Sequence, residues 1–206
     1  MDLTIIGTGN MARGIGKRAL AGGHGLTLVA KDDQHAEDAK GAFDGSAQTV
    51  VGGPVEGDVV VLAVYYPDAR AAVEQHADEL DGKVVVDVTN PVNDSFDGLV
   101  VPPDSSATRE LAELAPGARF VKAFNTTFAR TLESGEVAGQ PLDVLIAGDD
   151  EDAKQAVATL ARDGGLNPID SGPLSRAREL EAAGLLHMTL QNQLGTGFAS
   201  ALKIVA

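Results

Sequence analysis

Leu3-Thr4-Ile5-Ile6-Gly7-Thr8-Gly9-Asn10-Met11-Ala12 carries an apolar strand straight into the pattern G-x-G-x-x-A, and a helical segment, Met11–Ala21, follows at once. Each position has a physical task. Gly7 permits the tight turn, Gly9 lets the backbone approach a pyrophosphate, and a small residue at 12 lets the helix pack close on the strand. A diphosphate would then lie on unpaired N–H groups at the positive end of the helix dipole, with Asn10 expected as the N-cap. The motif is weak alone and gains weight from its setting between a strand and a helix, with a second strand about 20 residues on. Gly7, Thr8, Gly9, Asn10 and Met11 are therefore expected to hold a dinucleotide.

The end of the second strand bears on which dinucleotide. A carboxylate there bonds a ribose 2′-hydroxyl, whereas a cation accommodates a 2′-phosphate. The chain reads Ala30-Lys31-Asp32-Asp33. Lys31, the first polar residue off the strand, favours NADP; a one-residue shift of the strand end would present Asp32 and favour NAD.

Outward from this unit, short β-branched runs alternate with Ala-rich segments of helical period, the pattern of βαβ units and a doubly wound, mostly parallel α/β sheet of Rossmann type. Strands are expected at 3–6, 26–30, 48–51, 59–64, 84–88, 119–123, 144–147 and 167–169. Helices are expected at 11–21, 35–42, 67–79, 108–114 and 152–163, with a long one from about Leu174. Runs such as VVVLAV and VVVDV suit strands buried on both faces. Gly22-Gly23, Asp81-Gly82 and Gly164-Gly165 mark helix stops. The last helix carries an apolar stripe, Leu180, Ala183, Leu186, Leu190 and Leu194, suited to docking on the body or on a second subunit. It is expected to break at Gly195-Thr196-Gly197 and resume over Phe198–Val205.

Strand C-termini form the ligand crevice of such a sheet. Val64-Tyr65-Tyr66-Pro67 and Val88-Thr89-Asn90-Pro91 follow buried strands, so Tyr65, Thr89, Asn90 and Pro91 are expected beside the nicotinamide ribose and ring. Pro91–Ser106, the least patterned stretch, is the candidate for a loop over the site.

Composition narrows the field further. Sixteen basic residues against 30 acidic (net −14) argue against nucleic acid and against anionic membranes. No cysteine means no disulfide framework and no thiolate chemistry. No secretory or transit segment and no apolar run near about 18 residues is present, so a cytoplasmic chain is expected. Tyr65 and Tyr66 are followed four residues later by Ala69 and Arg70, which excludes the Tyr-x-x-x-Lys of short-chain dehydrogenases. His24, His35, His76 and His187 lack ligand spacing, and no metal site is expected.

GTGNMARG (7–14), VDVTNPV (86–92), VKAFNTT (121–127), AGDDED (147–152) and NPIDSGPL (167–174), in this order, resemble the NADP-dependent coenzyme F420 reductase family and the related cytosolic domain of the six-transmembrane metalloreductases. The resemblance covers essentially the whole chain. It implies a dinucleotide-binding Rossmann domain, 1–122, continuous with a small C-terminal α/β extension, 123–206, that completes the hydride-acceptor site and ends in the long helix. It implies hydride exchange between NADPH and a deazaflavin (F420) or flavin, with Asn125, Thr126 and Thr127 near the ring junction and Leu174 and Gly195–Gly197 closing the acceptor side; Asn125 and Thr127 are the candidate catalytic residues. Lys31 stands where the family commonly has arginine, and Ala30 where it commonly has serine. Where the deazaflavin reductases tend to carry histidine beside the ring this chain has Asn125, the version that resembles the metalloreductase-like branch. The expected partner is a small-molecule redox acceptor, and the expected assembly a homodimer. Two other readings stay open: a flavin or ferric reductase, and a non-catalytic NADP-binding redox sensor. Hydride transfer between two held rings needs little acid–base machinery, so the lack of a catalytic triad is no obstacle.

Overall fold

A strand covered on both faces has no polar side to alternate with, and Val59-Val60-Val61-Leu62 and Val84-Val85-Val86-Asp87 are built that way, every residue buried. In the computed structural model, which describes residues 1–205, these are β4 (Val59–Leu62) and β5 (Val84–Asp87) at the centre of an eight-stranded sheet. Before them come β1 (Asp2–Ile6), α1 (Asn10–Ala21), β2 (Gly25–Ala30), α2 (Asp33–Ala42) and β3 (Gln48–Val51). α3 (Tyr66–His76) lies between β4 and β5, and α4 (Ala107–Leu114) leads to β6 (Arg119–Lys122). After β6 come α5 (Ala129–Ser134), the hairpin β7 (Glu136–Val137) and β8 (Gln140–Pro141), β9 (Asp143–Gly148), α6 (Glu151–Asp163), β10 (Asn167–Gly172), a 3-10 turn (Leu174–Arg176) and α7 (Ala177–Leu194).

The strand order is β10-β9-β6-β5-β4-β1-β2-β3. All neighbours are parallel except β6 and β9. The chain winds outward in one direction from β1 and in the other from β4, so the order reverses between these two strands. A doubly wound sheet opens its ligand crevice at the carboxyl ends there.

The two faces bury separate cores. Leu3, Ile5, Val59, Val61, Val84 and Val86 point to the side covered by Ile15 of α1 and Val157 of α6. Ile6, Val60, Leu62 and Val85 point to the other, beneath Val73 of α3 and Leu111 of α4. Burying each such side chain contributes about 1.5–3 kcal/mol. No helix among the described residues is long and apolar enough to cross a membrane.

The C-terminal part departs from the expected pattern in three places. α5 and the β7–β8 hairpin were not anticipated; Gly135, left-handed at φ 78°, stops α5 after six residues. Of the expected stripe on α7 only Leu180 is buried; the buried face is completed by Ala177, Glu181, Gly184, His187 and Gln191, while Leu186 and Leu194 are exposed. Beyond Gly195 the chain does not resume a helix. It turns at Gly197–Phe198 and is held by other elements: Asp143 takes hydrogen bonds from both the Lys203 ammonium and the Ile204 backbone N–H, and Ser200 takes one from Gln191.

The polar face of α7 explains itself at Glu181. Lys122, Asp87 and Glu181 are each fully buried, with Lys122 Nζ 2.8 Å from Asp87, 3.1 Å from Glu181 and 2.6 Å from the Thr89 carbonyl. The Ala107 and Thr108 N–H groups donate to Glu181, and the Thr108 hydroxyl donates to Asp87. One cation thus ties β5, β6, the start of α4 and α7 together. Burial pushes the Glu181 carboxyl up, against the pull of Lys122. Removing the cation leaves two buried carboxylates facing each other. Lys122→Met should therefore cost about 3–5 kcal/mol, read as a fall in the urea midpoint; an unchanged midpoint would show that the carboxylates do not depend on it.

Candidate active site

The crevice begins at Gly7, where φ is 112° and a Cβ would stand 2.5 Å from the Ala63 carbonyl oxygen. The turn presses on the end of β4 too closely for any side chain. Gly9 is different. Its φ is −72° and no atom lies within 4 Å of where its Cβ would be; what Gly9 keeps clear is space above the backbone. Gly9, not Asn10, is the N-cap of α1, because Asn10 already lies in the first turn. Asp32, Ser106 and Asp150 cap α2, α4 and α6 with side-chain oxygens, whereas no side chain caps α1 and no acidic residue stands in its first turn. In a chain of net charge −14, the free N–H groups of α1 remain open to an anion.

From this turn a cleft of about 520 Å³ runs across the carboxyl ends of β4, β5 and β6. Gly9, Asn10, Met11, Tyr65, Thr89, Asn90, Asn125 and Thr127 line it. Tyr65 (84% exposed), Phe96 and Phe198 stand at its rim with Phe128 as a wall. These are half of the aromatic side chains in a chain with two Tyr and six Phe. Phe96 and Phe198 are also two of the few non-glycine residues at positive φ, 56° and 62°. Both loops accept backbone strain while holding a ring at the rim. Phe128 stacks on His187 at 4.2 Å and meets Phe198 edge-on at 5.0 Å. His187 donates from Nδ1 to the Thr126 carbonyl and faces the Ser200 hydroxyl with Nε2; burial pushes its pKa down. The neutral ring thus pins α7 and the C-terminal tail behind the aromatic wall. Arg130 is the one charged residue in the lining, and it makes no ion pair among the described residues. A smaller recess of about 170 Å³ between α6 and β10 is walled by Lys154, whose ammonium pairs with Glu151 at 2.8 Å and Asp170 at 2.9 Å; it shares no lining residue with the larger cleft.

The floor is polar. Phe124, left-handed at φ 63° and 1% exposed, turns the chain off β6 and presents Asn125. Asn125 and Asn90 lock together: the Asn90 amide donates to the Asn125 carbonyl at 2.8 Å, and the Asn125 amide donates to Asn90 Oδ1 at 2.9 Å and to the Leu180 carbonyl at 2.8 Å. α7 comes so close here that a Cβ on Gly184 would stand 2.5 Å from Asn90 Oδ1. Two buried side-chain atoms of this floor have no partner among the described residues, Asn125 Oδ1 and Thr89 Oγ1. Thr127, by contrast, donates its hydroxyl to the Phe124 carbonyl at 2.7 Å and closes the turn.

At the end of β2, Asp32 spends Oδ1 on the His35 N–H and ring, bonds that hold its carboxyl below the usual range. Exposed Lys31 makes no ion pair among the described residues. Two expected contacts, Pro91 and Leu174, do not line this cleft, and neither does Tyr66 beside Tyr65. Pro91 is buried and off the cleft, its carbonyl taking the Val100 N–H at 2.7 Å to close a loop that lowers Phe96 toward the site. Tyr66 faces the core and donates to Glu110; burial and that carboxylate push its phenol up to about 12. Leu174 packs into the core beneath α4. The aromatic rim and the buried ion triad were not legible beforehand, since nothing in the local pattern links residues so distant in sequence.

Residues 2–91 match the family described as NADP oxidoreductase, coenzyme F420-dependent. The F420-dependent NADP reductase of Methanocaldococcus jannaschii is 30% identical over 201 residues, covering 88% of this chain and 88% of that protein. The chain belongs to the F420-dependent NADP reductase family. Metalloreductase STEAP3 of Rattus norvegicus is 32% identical over 179 residues, covering 86% of this chain but 35% of that protein; the chain spans about a third of its length. The crystal structure of a putative F420-dependent NADP reductase from Arthrobacter sp. FB24 superposes with a TM-score of 0.86 at 25% identity, covering 99% of both chains.

Open space around Gly9 predicts that Gly9→Val folds with an unchanged thermal midpoint while losing binding of NADPH and NADH alike by calorimetry. Retained binding would place the phosphates elsewhere.

Proposed function

We propose that this chain is an NADP-dependent oxidoreductase passing hydride between NADP(H) and the deazaflavin coenzyme F420. One observation carries the reading: a single cleft at the sheet's switch point joins an open, uncapped helix N-terminus to a floor with unpartnered polar atoms and a wall of four aromatic rings. Such a cleft suits an anionic dinucleotide whose planar ring meets a second planar ring.

The residues fit the dinucleotide. The Gly9–Met11 backbone would receive the pyrophosphate, Lys31 the 2′-phosphate, and Thr89 and Asn125 the nicotinamide end. Bound NADPH supplies the hydride. The chain's own work is to hold two rings in register at roughly 3–3.5 Å. Tyr65, Phe96, Phe128 and Phe198 exclude water from the faces of the rings. Among the described residues the lining has no carboxylate and no histidine, and on this reading the proton that accompanies the hydride comes from solvent at the mouth. Asn125 favours a second reading, in which a flavin is the acceptor, as expected of the metalloreductase-like branch.

Two experiments test this. Lys31→Ala should weaken NADPH roughly tenfold, about 1.4 kcal/mol, and leave NADH nearly unchanged; equal loss for both would refute the assignment of Lys31. Following NADPH absorbance with F420, FMN or FAD added separately decides the acceptor. Oxidation with F420 supports the reading, and oxidation with flavins alone moves the chain to the second one. Tight NADPH binding with no oxidation by any of them would leave a dinucleotide-binding sensor.

A further inference from the structure

Asn125 Oδ1 and Thr89 Oγ1 are buried at the ends of neighbouring parallel strands, in residues 4% exposed, and neither has a partner among the described residues. Buried polar groups are ordinarily hydrogen-bonded, and each exception calls for a cause. The chemistry of the pair is specific. Both N–H bonds of the Asn125 amide are committed, to Asn90 Oδ1 and to the Leu180 carbonyl. Two acceptors facing Nδ2 fix the orientation of the amide, so the group Asn125 leaves unspent at the cleft it lines is an acceptor, Oδ1. The Thr89 backbone is immobilised from below: its N–H donates to Asp87 at 2.8 Å and its carbonyl takes the Lys122 ammonium at 2.6 Å. Its hydroxyl is left free to donate.

We infer that Asn125 Oδ1 and the Thr89 hydroxyl together read the carboxamide of the nicotinamide, Asn125 accepting from its NH2 and Thr89 donating to its carbonyl. A carboxamide is the group that offers a donor and an acceptor side by side, the complement of what the floor presents. Holding both ends forbids the half-turn of the ring that would exchange its faces. Asn125 and Thr89 are thus positioning residues that select which face of the ring transfers hydride. The inference rests on the proposed use of NADP.

The test is equilibrium binding to the intact protein, by calorimetry, of NADP+ and of its 3-acetylpyridine analogue, which keeps the carbonyl and lacks the NH2. The wild type should bind the analogue roughly 5- to 100-fold more weakly, the range for leaving a buried acceptor unpaired. Asn125→Leu should weaken NADP+ and erase that preference. Thr89→Val should weaken both dinucleotides by a similar factor and keep the preference. It removes a hydroxyl with no partner among the described residues, so its thermal midpoint should equal or exceed the wild-type value, which keeps the test sound should Asn125→Leu fail to fold. Equal affinity of the wild type for the two dinucleotides, or unaltered binding by Thr89→Val, would overturn the inference while leaving the functional reading intact. Binding of neither dinucleotide would overturn both.

Discussion

Lys122 brings a full charge into the interior, and the site depends on what it costs to keep that charge there. An unpaired buried ammonium is costly by several kcal/mol, so Asp87 and Glu181 must both come to it. They arrive from different elements. Asp87 ends β5, Glu181 lies on α7, and the N–H groups at the start of α4 complete the Glu181 shell. Once these are fixed, the Thr89 backbone is held from both sides and α7 lies close enough for the Leu180 carbonyl to take the Asn125 amide. The floor of the cleft is a consequence of satisfying one buried cation.

The same local logic reconciles an acidic protein with an anionic ligand. The net charge of −14 acts over the whole surface and is screened within about 8 Å at physiological salt. At the ligand's contacts the field is set by neighbours instead. α1 has no carboxylate in its first turn, Asp32 is turned into its own helix, and Arg130 is the sole charge in the cleft lining. Acidic residues are frequent in this chain, yet none stands in the first turn of α1.

How much of this was legible follows from the range of each interaction. The glycine turn, the central strands and the helix stops are local: Gly7 needs φ 112° because of where the next strand lies, and the strand–turn–helix pattern announces it. The Lys31 and Asp32 alternatives were visible as neighbours, but that Asp32 bonds back onto His35 of its own helix shows only in the fold. The face of α7 misled for a physical reason. Hydrophobic period finds buried faces only when burial is apolar, whereas Glu181, His187 and Gln191 are buried because each has a polar partner. The short α5 gave too few turns for any period, and the tail after Gly195 gains its hydrogen bonds from Asp143, some sixty positions away. Asn125 was picked out from its motif, yet that its Oδ1 is left without a partner only the fold could show.

On the proposed reading, hydride passes directly between two rings held in one cleft. The most direct test uses NADPH stereospecifically deuterated at one or the other face of C4, with F420 as acceptor and the reduced deazaflavin examined by mass spectrometry. Deuterium should appear in the deazaflavin from one of the two labelled forms and not from the other. Deuterium lost to water, or transferred equally from both faces, would contradict direct transfer within a fixed ring pair.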